Sequence, residues 1–408
     1  MNVVLVNLYD SFPNELHAKG RYTNLSQHLS NVGHNVLWIS SQFHHGSKKD
    51  RNPENYVSTN ENLKIIPLPS LRYNKNIGFR RLISDYRLSK LITKELDKVH
   101  NGNKIDIIIV SMGPIFTPSA VVSFAKKNKI KSIIDIQDLY PEAMYAVIPK
   151  EIRFLAKILL MPLNLKIKRL ILNSDGVSSL SKNRLKEAFD KFNFDLMKPS
   201  RAIYLNFKGI PTVIDKKKNP KTQTLKIAYI GTIGSFYDFD TVFNSFYEIA
   251  KTSIKIELHI IGSGPKLNYY KNIVKKLELN NVFFYGYMPF DKSISLIRSC
   301  DIGIVPILKT WPSCIPNKPI DYLGLGLPIL NSVQGELSSL VTDFDIGYNY
   351  IAENCNSLTL SIKQVNNDLN DGILANKGIN GYNLVKERFT IEKIMLQFES
   401  FINEVIDS

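Results

Sequence analysis

The chain carries two successive series of short apolar runs, each run separated from the next by a longer amphipathic stretch. That alternation is the signature of strands joined by crossover helices in a parallel sheet. The first series reads NVVLVNL (2–8), NVLWIS (35–40), LKIIPL (63–68), IDIIIVS (105–111), KSIIDI (131–136), GVSSL (176–180) and AIYLN (202–206). The second reads LKIAYI (225–230), IELHII (256–261), VFFYG (282–286), IGIVPI (302–307) and PILNS (328–332). Strands that are apolar on both faces need helices on both sides of the sheet. Between the series, FKGIPTVIDKKKNPKTQT (207–224) obeys neither period, and its two prolines and five lysines mark a linker. A chain of 408 residues also exceeds what one core usually serves. The expected fold is therefore α/β: two Rossmann-like doubly wound domains, 1–206 and 225–389, facing across a cleft. A helix over 390–408, with apolar residues at helical spacing, is expected to pack back on the first domain.

Charge is distributed unevenly. Residues 1–200 hold 30 Lys and Arg against 17 Asp and Glu, whereas residues 201–408 hold 22 against 20. A basic half points to an anionic partner, and charge alone does not choose among lipid headgroups, a lipid diphosphate and nucleic acid. Three cysteines, Cys300, Cys314 and Cys355, have no short metal-type spacing and fit a reducing compartment. No uncharged apolar stretch of membrane-spanning length occurs, and the N-terminus lacks the basic region of a signal peptide. The expected location is the cytoplasm.

The second series contains the most constrained chemistry. IPNKPIDYLGLGLPILNS (315–332) has one lysine and one aspartate among prolines, glycines and aliphatics. Pro316 and Asn317 suit a helix start, which puts Lys318 and Asp321 on one face of a first turn. Lys318 would add a cation beside the positive end of the helix and hold a diphosphate; Asp321 would accept hydrogen bonds from a ribose. Two strands end in glycine turns: Gly231, Thr232 and Gly234 follow LKIAYI, and Gly262, Gly264 and Lys266 follow IELHII. Glycine permits close backbone approach to a phosphate.

The succession IGTIG, IIGSGP, VFFYGYM, CDIGIVPI and IPNKPIDYLGLGLPIL resembles the C-terminal domain of the GT-B glycosyltransferases of family 4, above all the bacterial branch that builds O-antigen, capsule and lipopolysaccharide. In the first half, MNVVLVNLYDSFPNELHAKGRYTNLSQHLSNVGHNV, DIQDLYPEAM and SDGVSSLSKNRLKE are similar to further motifs of that family. The resemblance implies a retaining transfer from a UDP- or GDP-sugar to a lipid-linked or polysaccharide acceptor, with no metal required. It places Lys318 at the family's phosphate-binding lysine and Asp321 at its ribose-binding acid. The chain departs from the pattern at Ser313, where the family has a first acid, and at Asp238 and Asp240, near a basic pair that is missing. A nucleotide-sugar epimerase of the same architecture and a non-catalytic sugar-nucleotide or membrane adaptor are the alternatives.

Asp138, which follows KSIIDI, joins Lys318 and Asp321 as a candidate catalytic group, since a carboxylate at a strand end can stabilise charge developing on a sugar. His17, Lys19, Arg21 and Glu142 are acceptor-side candidates. His34 reads as structural, and His44 and His45 as solvated; no metal site is expected. RYNKNIGFRRLISDYRLSK (72–90) interleaves six basic residues with Tyr73, Phe79 and Tyr86, which suits an anionic membrane surface. RFLAKILLMPLNLKIKRLIL (153–172) is a second candidate if Pro162 does not break its helix. No nucleic-acid motif accompanies the charge, so nucleic acid is not an expected partner. The site of action would be peripheral, on the inner face of the plasma membrane.

Overall fold

The computed structural model describes residues 1–15, 20–52, 54, 60–74, 78–113, 115–138, 148, 153–193, 198–207, 209, 224–310 and 314–408. The chain divides into two compact units. One consists of Met1–Ile203 with Met395–Ser408, the other of Tyr204–Ile394.

The first unit is built on β1 (Asn2–Val6), β2 (Asn35–Ser41), β5 (Leu63–Leu68), β6 (Ile107–Ser111), β7 (Lys131–Ile136), β8 (Gly176–Ser179) and β9 (Ser200–Ala202). They pair in parallel in the order β5-β2-β1-β6-β7-β8-β9. Its helices are α1 (Arg21–Asn31), α2 (Phe79–Gly102), α3 (Phe116–Lys127), α4 (Arg153–Leu159), α5 (Met161–Asn173) and α6 (Lys182–Phe192). Ile108, Val110, Ile134 and Ile136 of the central strands are buried against Leu88, Ile92, Val121 and Ile167 of the crossover helices. Ile107, Ile109 and Ile133, which point to the opposite face, are buried as well, and this two-sided burial explains why the strands read as continuous aliphatic runs.

The second unit repeats the plan with β10 (Leu225–Ile230), β11 (Ile256–Ile261), β12 (Val282–Gly286), β13 (Ile302–Val305), β14 (Ile329–Asn331) and β15 (Gly347–Asn349). The order β12-β11-β10-β13-β14-β15 is all parallel and reverses between β10 and β13, where such sheets hold ligands beyond the strand ends. Its helices are α7 (Phe239–Ala250), α8 (Leu267–Lys276), α9 (Phe290–Ser299), α10 (Asn317–Gly324), α11 (Glu336–Asp343), α12 (Cys355–Asn370) and α13 (Ile373–Arg388). The last helix, α14 (Ile391–Asp407), begins in the second unit and ends in the first. There Phe398, Phe401 and Val405 are buried. A Cβ on Gly176 would sit 2.5 Å from Val405 Cγ2, so only glycine lets β8 meet this helix.

Several expectations are corrected. The strand expected at 202–206 is Ser200–Ala202, pairing with β8, and Tyr204 already belongs to the second unit. The short strand Gly347–Asn349, with too few residues to show alternation, completes the second sheet's edge. The loop holding His44 and His45 is a hairpin of β3 (Phe43–His44) and β4 (Lys49–Asp50). His45 is half-buried, not solvated: its ring meets Tyr9 edge-on, and its Nδ1 lies 2.8 Å from the Tyr73 hydroxyl. The stretch 153–172 is not one continuous helix but two, α4 and α5, and Pro162 sits in the first turn of α5, where its missing N–H is harmless. Most of the expected linker 207–224 lies outside the described residues.

Candidate functional site

The candidate site of the second unit lies at the reversal of its strand order, beyond the ends of β10 and β13. β10 runs into Gly231, whose φ of +136° favours glycine. β11 runs into Gly262, where φ is +154°. The two turns stack backbone on backbone: Gly231 N–H donates to Ile261 O at 2.9 Å, and Ile233 N–H to Ser263 O at 3.0 Å. A Cβ on Gly262 would fall 1.8 Å from Gly231 O, and one on Gly264 would fall 2.3 Å from Ile233 O. These two glycines therefore allow the close fit of one turn against the other.

Gly231 differs. A Cβ there would lie 2.4 Å from Lys318 Cε, so the absent side chain makes room for the lysine stem. The Lys318 ammonium donates to the Tyr237 hydroxyl at 2.6 Å, with the Tyr237 and Tyr229 ring centroids 3.9 and 5.2 Å away. Tyr229 in turn donates to Thr232 O at 2.6 Å. Burial pushes the Tyr237 hydroxyl above its ordinary pKa, so at neutral pH it stays a neutral partner for the ammonium. Tyr229 and Tyr237 were not singled out from the sequence. Their only signals were the inward position of Tyr229 in LKIAYI and the aromatic density of GSFYDFD.

The helix that carries Lys318 is pinned from below. Pro316 is the N-cap of α10, and Asn317 opens the helix half-buried. Tyr322, one turn on from Lys318, is fully buried and accepts the Ile230 N–H at 2.8 Å. Its ring fills the space where a Cβ on Gly303 of β13 would fall, 2.4 Å from Tyr322 Cδ2. Asp321, on the same helix, is buried and does not sit on a solvated turn. Gly234 is buried, whereas Thr232 is exposed. Lys266 precedes α8, and its backbone N–H donates to Ile233 O at 3.1 Å. Asp238 caps α7 by accepting the Thr241 N–H, and also accepts the Glu353 N–H at 2.8 Å. It is thus a structural acid in place of the missing basic pair. Ser313 lies outside the described residues.

In the first unit, Asp138 is exposed just beyond β7. His17, Lys19 and Glu142 lie outside the described residues. Arg21 is corrected. It is buried, pairs with Asp135 through Nε and Nη2 at 3.0 Å each, and donates Nη1 to Ile203 O at 2.8 Å. A guanidinium committed in this way holds the sheet and the following chain together and is not offered to an acceptor. The N-terminus of α1 is likewise occupied from within, by the Asp10 carboxylate accepting the Tyr22 N–H at 2.7 Å.

Residues 212–377 match the family described as Glycosyl transferases group 1. The second unit is glycosyltransferase-like in sequence. Protein CapJ of Staphylococcus aureus is 30% identical over 213 residues, covering 48% of this chain and 52% of that protein. The chain spans about half the length of the curated relatives it matches. Likeness of fold extends further. Sucrose-phosphate synthase from Thermosynechococcus elongatus superposes with a TM-score of 0.73 at 15% identity, covering 100% of this chain and 99% of that one. Anabaena HepE, in complex with UDP and glucose, does so with a TM-score of 0.65 at 13% identity, covering 99% of each chain. The α/β architecture of two Rossmann-like units is that of the GT-B glycosyltransferases.

Proposed function

We propose that the protein is a retaining glycosyltransferase that moves a sugar from a nucleoside diphosphate donor to a lipid-linked or polysaccharide acceptor of a cell-surface glycan. The reading rests above all on Lys318, whose ammonium is held between two tyrosines over Gly231, at the ligand-binding edge of the second sheet. When the bond from the sugar's anomeric carbon to the diphosphate breaks, negative charge grows on the departing phosphate oxygen. A positioned ammonium at the start of a helix stabilises that charge without a metal. Asp321, on the same helix, takes the ribose. The acceptor hydroxyl binds the first unit and forms the new bond at the anomeric carbon as its proton passes to the departing phosphate oxygen, and Asp138 acts there on the developing positive charge. The enzyme works on the cytoplasmic side of the membrane.

Incubation with UDP- and GDP-sugars and native membranes should release nucleoside diphosphate only when acceptor is present. Lys318→Ala is expected to lower that release at least about 100-fold, with circular dichroism unchanged. Undiminished release by the variant, or conversion of the donor to an epimer without acceptor, refutes the reading.

A further inference from the structure

The first unit exposes an apolar surface that its own core leaves uncovered. Helix α4 presents Phe154, Leu155, Ile158 and Leu159 on one stripe, the spacing of a face that packs against something. Yet Phe154 is 71% and Leu159 80% exposed. Met161 and Leu165 of α5 extend the stripe, while Ile167, Leu170 and Ile171 of the same helix turn inward to the core. On α2, Phe79, Ile83 and Tyr86 follow the same helical spacing, and Phe79 is 86% exposed. An exposed patch of this extent marks a docking surface.

The two stretches converge on Phe116, the first residue of α3. Its ring meets Tyr86 edge-on at 5.5 Å, and the Lys166 ammonium of α5 lies 4.7 Å from its centroid. Topology explains the convergence. α2 leads into β6 and α5 into β8, so both helices run against the parallel strands and start at the carboxyl edge of the sheet; α3, which follows β6, starts there too. That edge is where an open α/β sheet binds its ligand. Cations accompany the apolar residues: Arg80, Arg87 and Lys90 on α2 and Lys166 and Arg169 on α5 are exposed, and the sequence from Arg153 to Asn173 contains no acid. Beside Phe79, residues Arg72, Arg80 and Arg81 line an open cavity of about 460 Å³ together with Tyr73.

We infer that this face seats the protein on an anionic lipid bilayer, with α4 and the first turns of α2 and α5 in the headgroup layer. Large apolar and aromatic side chains ringed by Lys and Arg suit the boundary between headgroups and acyl chains, whereas a protein partner would have to meet the concentrated positive charge with acids of its own. The seat rests on the transferase reading only in bringing the acceptor-binding edge of the unit to a lipid-linked acceptor.

Flotation of the full chain with vesicles tests it without any sugar transfer. Binding is expected to vesicles of phosphatidylglycerol and phosphatidylcholine and to weaken as salt rises. Leu155→Asp with Leu159→Asp should lower binding at least about tenfold. Arg80→Glu with Arg87→Glu should lower it similarly and flatten the salt dependence. All four side chains are exposed, so both variants should keep the native circular dichroism. Lys318→Ala should bind vesicles like the parent, which separates failure of the seat from failure of the transferase reading. No binding to the anionic vesicles overturns the inference, as does equal binding to vesicles of phosphatidylcholine alone. It is equally overturned by a dimer in solution that the leucine variant converts to monomer, because the patch then belongs to a second copy.

Discussion

Replacing Arg21 by Met should cost the first unit about 3–5 kcal/mol, the usual penalty when one partner of a buried ion pair is removed. The Asp135 carboxylate is fully buried. It accepts two bonds from Arg21, one from the Ser178 hydroxyl at 2.7 Å and one from the Gln137 amide at 3.2 Å. Without the guanidinium a full charge remains in the core with only neutral donors, and Ile203 O loses its bond as well. For a unit of this size the loss corresponds to a fall of about 1–2 M in the urea midpoint. Fluorescence of Trp38, buried in this unit, reports the transition when Trp311 is replaced by Phe. Adding Asp135→Asn to Arg21→Met should restore much of the loss, since the stranded charge is then gone. A cost below about 1 kcal/mol, accompanied by a raised KM for acceptor, would refute the structural role and return Arg21 to the acceptor side.

Two further outcomes are expected. Gly262→Ala drives a methyl group into Gly231 O and should weaken binding of UDP or GDP, whichever the parent binds, by roughly 10- to 100-fold in calorimetry; unchanged affinity would show that the stacked turns do not shape the donor site. Burial raises the Asp85 carboxyl to about 6, against the opposing hydrogen bonds from Thr117 and Phe116. A carboxyl with a raised folded-state pKa stabilises the fold at low pH and loses that contribution as pH rises through its folded value. Stability should therefore fall by on the order of 2–3 kcal/mol between about pH 4 and 6. Asp85→Asn should remove this slope, and identical urea midpoints against pH for parent and variant would contradict it.

The strands were legible because burial on both faces forces uninterrupted runs of Ile, Val and Leu. KSIIDI, LKIIPL, LKIAYI and IELHII occupy their strands residue for residue. Ser200–Ala202 was not, because SRA has no Ile, Val or Leu and draws its place from pairing with β8. At the candidate site, the lysine in a proline- and glycine-bounded turn could be picked out from composition. Its support could not: the tyrosines that flank Lys318 come from β10 and the loop after it, some 80 to 90 positions earlier, and nothing in local spacing announces that meeting. Arg21 misled for a related reason. A basic residue after the first strand reads as a ligand group until its buried partner, Asp135, is seen on another strand.

The final helix makes the order of synthesis matter. Residues 395–408 complete the first unit, yet they leave the ribosome only after the whole of Tyr204–Ile394. At roughly 5–20 residues per second, that interval is on the order of 10 to 40 s. Throughout it the surface around Gly176 awaits Phe401 and Val405, so the half of the protein made first is the half that matures last.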